Sequence, residues 1–157
     1  TIYNLVLSAL DAAIEVVKPG MSWNDMYVAA MKVIAKGLIE LGILKAPFEQ
    51  VMSEELYLSF TLHKTGHWLG MDVHDVGSYQ VAGKCNEAAQ WVTLQPNMVF
   101  TLEPGLYFPV GMVGVDKKWQ GMGIRIEDDI LVTKSGCENL SSAVPRTVEE
   151  IEMLMGW

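Results

Sequence analysis

The sequence predicts an α+β fold, with helices on one face of an antiparallel sheet, and three observations predict it. Apolar residues recur at helical spacing from Ile2 to Leu41. The period then changes, and Val99-Phe100-Thr101-Leu102 and Ile124 to Val132 read as strands rich in β-branched residues. Between them lie glycine-punctuated stretches of neither period.

Each element has its own signal. Ile2, Leu5, Val6, Ala9, Leu10, Ala13, Ile14 and Val17 make one wide apolar helical face. Lys18-Pro19-Gly20 ends that helix, because Pro19 cannot continue the ladder. Ser22 starts a second helix, with Asp25 three residues on as an acidic capping box, and Gly42 stops it. Two antiparallel helices joined by a short loop follow. A third, weaker helix is expected over about 47–55. Within the strand from Ile124, Arg125 and Glu127 share one face, while Ile124, Ile126 and Asp128 share the other. Gly66, Gly70 and Gly77 predict tight turns, and residues 78–97 an irregular connection. Residues 109–123 read as a long hairpin connection, and Thr147 as the cap of a short last helix, Val148 to Leu154.

The 157 residues predict a single domain, 1–157. A half-hydrophobic composition excludes a disordered chain, and no apolar run reaches the roughly 20 residues of a membrane helix. The net charge of −8 argues against a nucleic-acid partner. Cys85 and Cys137 form no CxxC pair and read as free thiols of a reducing, cytoplasmic compartment. No secretory signal is visible, and the start at Thr1 without Met reads as a fragment or processed piece.

All three histidines, His63, His67 and His74, fall between positions 63 and 74. The four-residue spacing of His63 and His67 is that of a helical zinc pair, but Lys64 stands where such a motif needs Glu, and Gly66 disfavours a helix. His67 on an extended segment remains a candidate ligand; a hydrogen-bonded loop histidine is the alternative. Glu103 ends an apolar strand directly before Pro104-Gly105, where a water-facing strand-end charge is the alternative. Glu127 lies within an otherwise apolar strand, where a buried carboxylate requires a metal or an ion pair, for instance with Arg125. One His and two carboxylates form a hard N/O set suited to Mn²⁺, Co²⁺, Zn²⁺ or Fe²⁺. The sequence has no nucleophile elbow, Walker loop or GxGxxG.

The segments His63-x-x-x-His67-Trp-Leu-Gly-x-Asp-Val-His74-Asp75-Val-Gly77, Thr101-Leu-Glu103-Pro-Gly-Leu-Tyr107 and Gly123-Ile-Arg125-Ile-Glu127-Asp-Asp resemble the proline-specific pita-bread metallopeptidases. The nearer branch is Xaa-Pro aminopeptidase (aminopeptidase P), and the other is prolidase. The resemblance implies the second half of a pita-bread fold: two N-terminal helices on a curved antiparallel sheet, then a short C-terminal helix. It implies His67, Glu103 and Glu127 as metal ligands, with Glu127 bridging two divalent ions. Manganese is the expected metal, with cobalt or zinc as alternatives. His63 and His74 resemble substrate-binding and proton-handling histidines, and Arg125 an arginine beside the bridging glutamate. Trp68 and Tyr107 match positions near the substrate. The implied reaction removes the residue before proline from a peptide, through a hydroxide activated by two metals. Lys64 departs from the pattern, standing where a glycine is common.

The larger departure is that the family's two aspartate ligands, on an earlier hairpin, have no counterpart in this sequence. The expectation is therefore a chain inactive alone, with metal absent or weakly bound, that self-associates as a homo-oligomer through exposed sheet edges. The partner implied is a proline-containing peptide, with no nucleic acid and no membrane. A prolidase-type dipeptidase, a non-catalytic peptide- or protein-binding module and a metal-free creatine-hydrolysing relative are the alternatives.

Overall fold

A computed structural model describes residues 1–82 and 88–157. Cys85 lies outside the described residues. The first helix, α1, spans Ile2–Glu15, and Ile2, Val6, Ala9, Leu10 and Ala13 are its buried stripe. The second, α2, spans Trp23–Glu40. The expected capping box is formed: the Ser22 backbone N–H donates to Asp25 Oδ2 at 2.8 Å, and the Asn24 N–H donates to Ser22 Oγ at 3.3 Å. Gly42, at φ +68°, takes the left-handed conformation that ends the helix. The expected third helix is shorter, α3 at Phe48–Ser53, followed by a 3₁₀ turn at Leu56–Ser59.

The strands are β1 (Gln80–Val81), β2 (Gln90–Trp91), β3 (Val99–Leu102), β4 (Gly105–Phe108), β5 (Met122–Arg125), β6 (Asp128–Val132) and β7 (Cys137–Asn139). The connection 78–97 thus carries a short antiparallel pair, β1 with β2. Strand β6 lies between β3 and β7, while β4 pairs with β5, all antiparallel. The last helix, α4, spans Val148–Met155 under a Thr147–Glu150 capping box.

The expected unbroken strand from Ile124 to Val132 is interrupted at Ile126-Glu127. The register explains why. Leu102 faces Asp128, and Gly105 faces Arg125. Those pairs belong to one continuous register, which sets Glu103 against Glu127 and Pro104 against Ile126. Pro104 has no N–H to donate, so the ladder loses a bond there. Only the Ile126 N–H donates to the Pro104 carbonyl, at 3.4 Å. The ribbon breaks at the pair of glutamates. Glu127 is consequently exposed and is not buried within a strand.

The histidine segment adds a further edge. Thr101 N–H donates to the His67 carbonyl at 2.9 Å, and Glu103 N–H to the Thr65 carbonyl at 2.8 Å. Trp68 bridges Phe100 in the same antiparallel register. Alternation then sorts the sheet by parity. Phe100, Leu102, Leu106, Phe108, Ile126, Ile130 and Val132 are buried in the core with the helices. The odd-numbered residues, among them His67, Thr101, Glu103, Tyr107, Arg125 and Glu127, share the other face.

None of Gly66, Gly70 and Gly77 has positive φ; Gly70 lies in the expected turn, where the Asp75 N–H donates back to the Trp68 carbonyl at 3.1 Å, while Gly66 and Gly77 lie in extended segments. They permit close approach. A Cβ at Gly66 would overlap the Thr101 carbonyl oxygen, which is backbone and cannot swing aside. Gly66→Ala should therefore destabilise the fold by about 1–3 kcal/mol, as overpacking does. Gly136→Ala, where a Cβ meets nothing within 4 Å, should stay within about 0.5 kcal/mol. Urea unfolding midpoints of the two variants test the difference; equal midpoints would contradict it.

Candidate metal centre

The odd-numbered face gathers the polar groups of five segments. One ligand atom each from His67, Glu103 and Glu127 lies within 4.8 Å of the other two. His67 comes from the edge segment, Glu103 from the end of β3 and Glu127 from just before β6. His67 and Glu103 are placed by backbone pairing, and Glu127 by its position between the paired strands β5 and β6.

His67 is oriented for ligation. Its Nδ1 lies 2.9 Å from the Trp68 carbonyl oxygen, which can only accept, so Nδ1 carries the proton. The Nε2 lone pair is thereby free and points to Glu103 Oε1, 3.5 Å away. That separation is long for a hydrogen bond and suits two atoms facing a shared cation. Glu103 is only 8% exposed. Its Oε1 accepts from the Thr101 hydroxyl at 3.4 Å, and Thr101 Oγ1 accepts from the His67 N–H at 3.1 Å. Arg125 Nη1 lies 3.4 Å from Glu103 Oε2. The arginine expected beside Glu127 thus makes its ion pair with the other glutamate. Although Glu127 is exposed, partial desolvation of its carboxyl against the sheet pushes it above its ordinary range; the Glu103 charge adds to the rise, while Arg125 and His67 oppose it.

His63 makes a second ordered pair. Its Nδ1 donates to the Lys64 carbonyl at 2.8 Å, so Nε2 accepts from the Tyr107 hydroxyl at 2.7 Å. Burial raises the Tyr107 pKa, which keeps that hydroxyl protonated as donor. The His74 ring stands edge-on to His67, with centroids 4.3 Å apart, and is exposed. Trp68 is the expected residue that the structure does not bring to this group. Its indole stacks on Tyr79, tilts against Trp23 and lies edge-on to Phe100. It lies on the core face, next in sequence to a ligand but behind it.

Two groups were missed from sequence. Thr101 links His67 to Glu103, and its position two residues before Glu103 on the same face was the signal. Asp128, at 2% exposure, is a carboxylate at a core-face position, held by Ser141 and Arg146. A cavity of about 410 Å³ borders the cluster, lined by Leu69, Val73, Thr101, Glu127, Asp129 and Ser141. Hard oxygen and imidazole donors, one tautomer fixed and excess negative charge fit a divalent cation.

The chain matches metallopeptidase family M24 over residues 1–134. It is 44% identical over 154 residues to "Xaa-Pro aminopeptidase 1" of Streptomyces coelicolor, covering 98% of this chain and 30% of that protein. It is 40% identical over 154 residues to "Xaa-Pro aminopeptidase" of Escherichia coli, covering 98% of this chain and 33% of that protein. Aminopeptidase PepP of Pseudomonas aeruginosa superposes with a TM-score of 0.92 at 48% identity, over 99% of this chain and 34% of that one. The chain thus spans about a third of the length of the relatives it matches. The α+β architecture is that of aminopeptidase P, the pita-bread fold.

Replacing Glu127 by Gln tests the electrostatics. A carboxyl with a raised folded pKa stabilises the native state relative to neutral pH when protonated. Stability is then lost as pH rises from the ordinary carboxylate range through the raised value. In metal-free protein, Glu127→Gln should therefore melt higher than the parent at pH 7, with the gain vanishing below the ordinary carboxylate range. A lower melting temperature at pH 7 would contradict this.

Proposed function

Because the chain belongs to metallopeptidase family M24, we propose that it carries part of the centre of a metal-dependent aminopeptidase that removes the residue preceding proline. The observation that carries this reading is the convergence of His67, Glu103 and Glu127. The names of the relatives support the substrate class.

His67 Nε2, Glu103 and Glu127 would hold the metal. Manganese suits this donor set, and so do cobalt and zinc. Bound ions would polarise the scissile carbonyl and lower the pKa of the attacking water. The protein's own part is positional. Arg125 balances the Glu103 charge. Thr101 and the Trp68 carbonyl hold Glu103 and His67 in register. On peptide binding the Tyr107 hydroxyl can turn its donation from His63 Nε2 to a carbonyl oxygen of the peptide. His74, exposed and beside His67, can hand a proton to the leaving amine.

Three ligand residues are few for two ions. The dinuclear centre therefore requires donors beyond these three, and residues 1–157 alone should bind Mn²⁺ weakly and hydrolyse no peptide. A prolidase-type dipeptidase would use the same ligands. A non-catalytic binding module would have no need of the fixed His67 tautomer or the Glu103–Glu127 opposition.

An Xaa-Pro tripeptide assay in Mn²⁺ checks both parts. Residues 1–157 alone should give no turnover above background, and turnover would refute the inactivity. In the protein with its full ligand set, Glu103→Gln should lower hydrolysis more than about 100-fold, since losing even outer partners can cost that much. Undiminished hydrolysis in that variant would contradict the metal role.

A further inference from the structure

Asp128 has no part in the proposed chemistry, yet it is a carboxylate on the core face of the sheet, directly after Glu127. Its two oxygens are separately held. Oδ1 accepts from the Ser141 hydroxyl at 2.6 Å, and Oδ2 from Arg146 Nη1 at 2.7 Å. Arg146 is fixed in turn by Asp11 Oδ1 on α1, at 3.1 Å, and by the Tyr3 hydroxyl, which donates to its carbonyl at 2.7 Å. Ser141 Oγ also accepts from the Asp129 N–H at 3.0 Å, and the Leu140 N–H donates to the Asp129 carbonyl at 2.8 Å. Side chains from α1, β6 and the segment before α4 therefore meet on one residue.

The consequence falls on its neighbour. Glu127 sits where the β4–β5 and β3–β6 ladders are interrupted, so regular pairing does not fix it. Alternation does. With Asp128 pinned inward on one side and Ile126 buried on the other, the Glu127 side chain must point to the opposite face, where Glu103 and His67 lie. We propose that the Arg146–Asp128–Ser141 clasp is a positioning device that aims Glu127 at the metal, so that the segment 140–147 belongs functionally to the centre. The inference rests on the reading of Glu127 as a metal ligand.

Cobalt titration of the chain, followed by visible absorption, tests it without any activity measurement. Asp128→Asn and Arg146→Met should weaken Co²⁺ binding roughly 10–100-fold, the range for loss of outer partners. Both should also shift the ligand-field band, and Arg146→Lys should restore part of each effect. Ser22→Ala, which lowers stability through the α2 cap far from the site, should leave affinity and spectrum unchanged. If Asp128→Asn does not fold, Ser141→Ala removes one bond of the clasp and should give a smaller change of the same kind. Variants that melt lower but keep the parent's Co²⁺ affinity and spectrum would reduce the clasp to a structural role and overturn the proposal. A parent chain that binds no Co²⁺ at millimolar concentration would instead overturn the ligand reading of Glu127, and this inference with it.

Discussion

Two glutamates face each other across a broken β-ribbon, and the rest of the structure accommodates that opposition. Like charges directly across an antiparallel pair are destabilising. Here the pair lies at the one place where the ladder lapses, beside Pro104. His67 Nε2, the Thr101 hydroxyl and Arg125 all approach Glu103. None of these neutralises both carboxylates, and the Glu127 carboxyl is left with a raised pKa. Under the proposed function, a divalent cation between them would neutralise both. The interruption at Pro104, the tautomer of His67 and the placement of Arg125 thus converge on this one pair.

The two faces of the sheet divide the work. The even-numbered face supplies stability, through Phe100, Leu102, Phe108 and Ile130 packed against the helices. The odd-numbered face supplies chemistry. Residues at the boundary serve both. Gly66 lets the histidine segment lie against β3, and Trp68 anchors it from behind by stacking among aromatics. A candidate ligand such as His67 is therefore held by core packing one residue away, which is how a rigid scaffold positions a site.

Much of this was legible in the sequence. Helical spacing and caps located α1, α2 and α4, because Ser22 with Asp25 and Thr147 before Val148 are local signals. Clustered histidines and two carboxylates pointed to the candidate ligands, and alternation predicted the shared face of Arg125 and Glu127. What was not legible is non-local. No pattern in Ile124 to Val132 reveals a break, since its cause is Pro104 on the opposite strand. The partner of Arg125 and the burial of Trp68 depend on which segments pair. Asp128 could have been noticed as a charge on an apolar face, but Arg146 and Ser141 come to it only through the tertiary fold. The packing role of Gly66 was not legible for the same reason: close approach leaves no mark in local sequence.

The central claim is that sheet register, with alternation about the anchored Asp128, brings His67, Glu103 and Glu127 to one cation. Crystals of the chain grown at saturating Mn²⁺, measured at the manganese absorption edge, test it most directly. The account predicts an anomalous peak within coordination distance of His67 Nε2 and of an oxygen from each glutamate. A crystal with Glu103 paired only to Arg125, Glu127 turned to solvent and no peak between them would contradict it.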